Sequence, residues 1–293
     1  MTRISTIIPV YNGEKYLREC LDSALAQVGV EQEILVVNDG STDGTAAILD
    51  EYAARVRVLT QHNAGHIAAR NHGVAEATGQ WLAFLDADDL WEPTKLCEQE
   101  KLLADDIGMV YTERLNFGDL GDLPARQSES QTLYDGDLFH PLLQTNFITV
   151  SSVLLRKDLY RELGGFDPAP TGCEDWDLWL RFAATYGPDR FRVACVREPL
   201  TRYRWRSDAM TRNLSLMHHG REIALENALA SSRGKREITP SERRQARASI
   251  CEISAWVARQ SGQRGLAFSY AARRFFLTPG LRTLYHWVKT LFP

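Results

Sequence analysis

The chain has 293 residues, 44% hydrophobic and 25% charged, a composition that supports a packed core and excludes wholesale disorder. Its formal net charge of −4 excludes a general electrostatic attraction for nucleic acid. The cysteines Cys20, Cys97, Cys173, Cys195 and Cys251 lack the close pairing of zinc or redox motifs, and no stretch reaches the roughly 18 apolar residues of a membrane span, so reduced thiols and a cytoplasmic location without a leader or anchor are expected.

Ser5–Val10 (STIIPV) is the first predicted strand, β-branched and apolar without alternation, as strands buried on both faces are. Tyr11-Asn12-Gly13 turns, with Asn12 placed to cap a helix on which Leu17, Leu21, Ala24 and Leu25 share one face. Glu33–Asn38 is a second strand, Asp39–Thr45 (DGSTDGT) a turn and cap cluster, Ala46–Ala54 a helix and Val56–Thr60 a third strand. An alanine-rich helix over Ala64–Ala77 closes at Thr78-Gly79 and leads to the buried strand Trp81–Leu85. That strand ends at Asp86-Ala87-Asp88-Asp89, with Asp89 expected to cap a helix opening at Leu90.

Asn116–Gln131, rich in Gly, Asp and Ser, is expected to be a mobile surface loop at a change of subdomain. Strand patterns return at Val150–Leu155 and Arg192–Val196, with a helix over Glu174–Thr185 between them. From about Arg212 the pattern is helical, in pieces broken at Ser231–Pro240, Gly262–Gly265 and Thr278–Gly280. The alternation of strands and helices predicts an α/β fold with a mostly parallel sheet and a carboxyl-terminal helical appendage. The expected domains are 1–211, in halves 1–115 and 116–211, and the helical region 212–293.

Three turn-rich or acidic sites, Pro9–Gly13, Asn38–Asp43 and Asp86–Asp89, fall at carboxyl ends of strands, the edge at which open α/β sheets bind ligands. They gather carboxylates where phosphate-binding folds gather glycines and a lysine, and neither a Walker loop nor a GxGxxG fingerprint occurs. A polyphosphate binds beside carboxylates when a divalent cation lies between them, and Asp is a hard oxygen ligand suited to Mg²⁺ or Mn²⁺. Asp86-x-Asp88 has the spacing for such a bridge, although an acidic pair of this kind also serves simply to cap a helix.

Four ordered segments resemble glycosyltransferase family 2 on the GT-A fold: PVYNGEKYL (Pro9–Leu17), VVNDGSTDGT (Val36–Thr45), NAGHIAARNHGVAEATGQWLAFLDADDLW (Asn63–Trp91) and GCEDWDLWLR (Gly172–Arg181). Together they cover most of residues 4–205. The resemblance implies that 1–115 is the nucleotide-sugar half and 116–211 the acceptor half. It implies that Pro9, Tyr11 and Asp39 hold the nucleoside base, with Asp39 accepting the N3–H of a uracil-like ring, which favours UDP or dTDP donors. It also places Arg70 near the ribose or diphosphate, makes Asp86 a ribose-side or water-mediated metal carboxylate, and makes Asp88 the direct metal ligand. The residues alone leave Asp39 as a turn former and Arg70 as a solvated helix arginine.

An acceptor hydroxyl attacking an anomeric carbon must lose its proton, and the resemblance assigns that general base to Asp175 of the Glu174-Asp175 pair. Asp175 would serve equally as a helix-start carboxylate favouring the macrodipole. The implied reaction is a single in-line displacement with inversion, in which the metal neutralises the leaving diphosphate. Where related sequences continue with YRxH, whose histidine completes the metal site, this chain reads Tyr203-Arg204-Trp205-Arg206. Arg206 cannot ligate a metal but suits a diphosphate as a bidentate donor, or faces solvent, and His218 or His219 downstream would have to supply any replacement ligand. Trp176 and Trp205 are sugar-stacking platforms or core residues.

The expected partners are a UDP-sugar donor and a sugar or lipid-linked glycan acceptor in bacterial surface polysaccharide assembly. The rival classes are a metal-dependent nucleotidyltransferase, which should carry a Gly-rich, Lys/Arg-bearing signature near the amino terminus, and a non-catalytic nucleotide-sugar-binding module. The tail 253–293 holds Arg259, Arg264, Arg273, Arg274, Arg282 and Lys289 with no Asp or Glu, interleaved with aromatic and apolar residues to Leu291 and Phe292. Such a segment suits peripheral contact with an anionic membrane or a helical cap on the catalytic domain.

Overall fold

The run Ile4–Val10 has no charged side chain, and in the structure all of it is buried as strand β1 (Arg3–Val10). The computed structural model describes residues 3–119, 121, 123–206 and 213–289, so the expected domain junction at 211/212 lies outside the described residues. After β1 come α1 (Leu17–Leu25), β2 (Glu31–Asn38), α2 (Thr45–Tyr52), β3 (Arg57–Thr60), α3 (His66–Glu76), β4 (Trp81–Phe84), β5 (Leu90–Trp91), α4 (Lys95–Glu100) and β6 (Ile107–Gly118). The chain continues through α5 (Phe139–Gln144), β7 (Leu154–Arg156), α6 (Lys157–Glu162), α7 (Glu174–Arg190, broken at Gly187), β8 (Arg192–Trp205), α8 (Leu214–Ala230), α9 (Ser232–Glu237), α10 (Pro240–Gln260), α11 (Arg264–Leu277) and α12 (Leu281–Lys289).

The strands form one mixed sheet in the order β3-β2-β1-β4-β7-β6-β8-β5. The β3-β2-β1-β4 portion is parallel, β7 runs antiparallel to both β4 and β6, β6 and β8 are parallel, and β5 closes the edge antiparallel to β8. In the parallel register Pro9 lies opposite Val37 and Val10 opposite Asn38, and the Leu85 amide bonds the Ile7 carbonyl. The carboxyl ends of β2, β1 and β4 are therefore neighbours, and all three chemically loaded turns leave the sheet at one edge.

Helix α3 reaches this edge because of a glycine. A Cβ on Gly73 would sit 2.6 Å from Ile7 Cγ2 and 3.1 Å from Val37 Cγ2, so only a residue without a side chain lets the helix lie this close to β1 and β2. One turn earlier the same helix carries Arg70.

The structure corrects several boundaries. Asn12 does not cap a helix: α1 starts at Leu17 after Tyr16, while Asn12 takes a left-handed φ of 50° and its Oδ1 accepts from the Thr42 amide at 2.8 Å. Leu90 opens the short strand β5 rather than a helix. The expected loop at Asn116 begins inside β6, and its polar residues are accommodated by specific partners: Asn116 Nδ2 donates to the Pro124 carbonyl at 2.8 Å, and Ser128 Oγ donates to buried Glu113. Val150–Ser152 is a single 3-10 turn, and β8 continues nine residues beyond the expected Val196 to Trp205.

The sheet and its helices belong to one compact unit, Met1–Asp137, Phe147–Pro168 and Tyr186–Ser207; Leu138–Asn146, Ala169–Thr185 and Asp208–Pro293 form a second. In the second unit α10 packs on α8 and α11, and α11 on α12. Ala255, Ala258, Ala267 and Ala271 leave room for the close approach, with Leu214 and Tyr270 buried in the same cluster. Helix α10 opens with Pro240 at its first turn and a reciprocal capping box between Thr239 and Glu242, a device contributing about 1 kcal/mol.

Candidate active site

Asp39, the first residue after β2, is almost fully buried, and its amide donates to the Val10 carbonyl at 2.8 Å. Its Oδ1 accepts from Gln61 Nε2 (2.8 Å) and the Ala64 amide (2.9 Å), and its Oδ2 accepts from the Gly65 amide (2.8 Å). One carboxylate thus fixes the loop between β3 and α3. Gly40 fits beside it at φ 73°, where a Cβ would stand 2.9 Å from the Asn63 amide. Pro9 is the penultimate residue of β1, and Tyr11, half exposed, follows the strand in a turn tied to the Asp39–Thr45 segment by Asn12 N to Ser41 Oγ (3.0 Å) and Gly13 N to Thr45 Oγ1 (2.8 Å).

The acidic turn after β4 is braced by arginines. Arg70, buried on α3, donates from Nη2 to Asp86 Oδ1 at 2.6 Å, and its guanidinium lies 5.5 Å from the Phe166 ring. Asp88 Oδ2 accepts from Arg206 Nη1 at 2.8 Å. Asp89, expected as a helix cap, is instead buried: it accepts from Ser151 Oγ (2.6 Å) and from the Arg204 amide (2.8 Å). Ser151 Oγ also accepts from the Asp86 amide (3.1 Å), and Arg204 Nε donates to the Asp88 carbonyl (2.7 Å). Asp89 therefore holds the two residues that hold the backbone of Asp86 and Asp88.

Burial and, after it, charge repulsion both raise the pKa values of Asp88 and Asp89 in this turn. Burial first, then the neighbouring Asp86, pushes the Asp88 carboxyl above its ordinary range, and Arg206 pulls it partly back. Burial, then Asp88 and Asp86, drives Asp89 well above it. Three carboxylates in four residues form a site that welcomes added positive charge. Among the described residues no three His, Cys, Asp or Glu side chains gather into a metal-binding group.

Asp175 lies in the second unit, at the start of α7. Its Oδ1 accepts from the Trp176 amide (2.6 Å) and its Oδ2 from Asn146 Nδ2 (3.1 Å), leaving the side chain half-buried. Asp177 is fully buried and held by Arg181 Nε (2.6 Å) and Asn227 Nδ2 (2.9 Å), a structural tie between helices. Trp176 is core: its ring is buried and Nε1 donates to the Leu142 carbonyl at 2.8 Å. Trp205 is half-buried, donating to Asn116 Oδ1 at 3.1 Å and meeting Tyr203 edge to face. His218 uses both ring nitrogens inside the helical unit, Nδ1 with Ser254 Oγ (2.8 Å) and Nε2 with Arg273 Nη1 (3.1 Å), and burial lowers its pKa; His219 is exposed.

Sequence reasoning assigned no part to Ser151, Arg204, Tyr16 or Asn146. The guanidinium of Arg204 lies 4.4 Å and that of Arg206 5.3 Å from the Tyr16 ring. Alternation along Arg202, Arg204 and Arg206 was the available signal, since residues two apart on a strand share a face.

The sequence profile described as "Glycosyl transferase family 2" matches residues 5–164, more than half of the chain. The chain belongs to glycosyltransferase family 2. An uncharacterised glycosyltransferase of Rickettsia typhi is 35% identical over 187 residues, which are 61% of this chain and 58% of that relative. This family 2 chain thus aligns with about three fifths of the relative's length. Among solved structures, S. aureus TarS 1-349 in complex with UDP-GlcNAc superposes with a TM-score of 0.62 at 16% identity, covering 99% of this chain and 79% of that one. The mannosyltransferase PcManGT from Pyrobaculum calidifontis, in complex with GDP-Man and Mn²⁺, gives a TM-score of 0.62 at 18% identity with the same coverages. These likenesses establish the fold, which is the GT-A arrangement of the family.

Proposed function

We propose that this family 2 chain transfers a sugar from a nucleoside diphosphate sugar to an acceptor hydroxyl, inverting the anomeric centre. The observation that carries the reading is the pairing of Asp86 with Arg70 and of Asp88 with Arg206 at the end of β4. Alternating carboxylates and guanidiniums complement a diphosphate that arrives with a divalent cation. Asp86 and Asp88 offer two hard oxygen donors with like-charge repulsion to relieve, and would suit Mn²⁺ or Mg²⁺. When bound, the metal would offset the charge on the departing diphosphate. Arg70 and Arg206 would orient the phosphates, and Asp175 would accept the proton of the acceptor hydroxyl at its carboxylate.

The proposed base site favours uracil or thymine over guanine. A carboxylate offers about four acceptor positions, and three at Asp39 are filled by Gln61, Ala64 and Gly65. The remaining one matches the single N3–H of uracil; guanine, with two adjacent N–H groups, would need both oxygens. That TarS was solved with UDP-GlcNAc and PcManGT with GDP-Man makes the distinction worth measuring. In a thermal-shift panel with Mn²⁺, UDP and dTDP should raise the melting temperature by a few degrees at about 100-fold excess over Kd, and GDP by less. Stronger stabilisation by GDP would remove Asp39 from base selection. Hydrolysis of the donor sugar under the same conditions separates an enzyme from a binding module. The acceptor we propose is a hydroxyl of a surface glycan, a reading that rests on the family.

Peripheral membrane contact is proposed for the helical unit. No helix among the described residues is long and apolar enough to cross a membrane. On α12, Leu281 (88%), Leu284, Tyr285 (62%) and Val288 are exposed at i, i+3, i+4 and i+7 spacing, whereas Phe268 and Phe275 pack on Trp287 inside the unit. Leu291 and Phe292 lie outside the described residues. Arg282 flanks this face, and 253–293 contains no acidic residue. Replacing Leu281 and Leu284 with Gln should weaken sedimentation with phosphatidylserine-containing liposomes several-fold; equal partitioning by both proteins would refute the contact.

A further inference from the structure

We propose that Arg206 makes metal loading at Asp88 conditional on the arrival of the donor's diphosphate. The proposal rests on the reading of Asp88 as a metal ligand. Its starting observation is that Arg206 Nη1 already occupies Asp88 Oδ2 at 2.8 Å, with the two side chains 27% and 29% exposed. A divalent cation approaching that carboxylate meets a fixed positive charge on one of its two oxygens, and two cations on one carboxylate repel each other.

The neighbouring Arg204 braces the backbone of the same turn. Arg204 is committed on three sides: its amide to Asp89, its Nε to the Asp88 carbonyl and its Nη2 to Glu19. The backbone of Asp88 is therefore braced by Arg204, while its carboxylate is met by Arg206, just past the end of β8. A diphosphate gives that guanidinium a second acceptor that matches its planar fork. On transfer of Arg206 from carboxylate to phosphate, Asp88 Oδ2 becomes available to the metal. By linkage, nucleotide then raises metal affinity by the same factor that metal raises nucleotide affinity. Without nucleotide, the arginine stands in for the metal and keeps the acidic turn neutralised.

The test is calorimetric titration of Mn²⁺ into the full chain, with and without saturating UDP, for the wild type, Arg206→Gln, Arg206→Lys and Asp88→Asn. Arg206→Gln should bind Mn²⁺ alone about fivefold more tightly than wild type, and the factor by which UDP tightens Mn²⁺ binding should shrink by a similar amount. Arg206→Lys keeps the charge and should stay near wild type in the absence of UDP. Unchanged Mn²⁺ affinity and unchanged UDP coupling in Arg206→Gln would overturn the proposal, as would Lys and Gln variants that behave alike. In either case loss of Mn²⁺ binding in Asp88→Asn would leave the metal reading standing. Wild-type Mn²⁺ binding by Asp88→Asn would instead remove the metal reading, and the coupling with it.

Discussion

Single-turnover transfer by an Asp175→Asn protein is expected to fall by about 10² or more, while UDP affinity stays nearly constant. The substitution keeps the side chain's size and its acceptor for the Trp176 amide. The other oxygen faces Asn146 Nδ2, and an amide placed there can be met by Asn146 turning over to present its own oxygen. The lost charge at the start of α7 costs about 0.3–1 kcal/mol through the helix dipole, which lowers the melting temperature by only a few degrees. A purely structural Asp175 would show the opposite pattern, with melting temperature and donor affinity dropping together. Near-normal turnover would take Asp175 out of the mechanism. Glu174 would then be the next residue to test, ahead of Asp177, whose two oxygens are already held by Arg181 and Asn227.

The Asp88→Asn protein should lose transfer and the Mn²⁺ dependence of UDP binding without losing stability. A neutral amide is a poor ligand for a hard cation, so metal-assisted nucleotide binding is the property at risk. The fold itself should gain or hold steady. Burial and Asp86 raise the folded-state pKa of Asp88, so at neutral pH the ionised carboxylate opposes folding relative to a neutral side chain. Asparagine still offers an oxygen to Arg206. Equal or higher melting temperature in metal-free buffer, together with lost Mn²⁺-dependent UDP affinity, is the expected pair of results. Full activity would show that Asp88 is not needed for the reaction.

The parallel strands β1, β2 and β4 could be read in advance because their signals are local. β1, β2 and β4 are short apolar runs closed by turns, and burial on both faces leaves no alternation to misread. The end of β6, Asn116–Gly118, was misread as loop because its polar Asn116 is satisfied by a partner that sequence does not reveal, the Pro124 carbonyl. Asp89 was taken for a cap on the same ground: its partners, Ser151 and Arg204, lie 62 and 115 residues away. Tyr203-Arg204-Trp205-Arg206 was singled out as a motif, but the division of labour between its arginines depends on the register of β8 beside β6 and on Tyr16 below both.

The bonds around Asp39 have a thermodynamic consequence. Its amide and carboxylate hold the ends of β1 and β2 and the loop 61–65 in place through bonds to the protein's own groups. A nucleoside entering the proposed site would meet a surface that is already ordered, so little conformational entropy is lost on binding. The ordering cost would fall at the other end of the donor, where Arg206 must change partners. Nucleoside fragments lacking phosphate should therefore bind with a small entropic penalty, and the penalty should grow when the diphosphate is added.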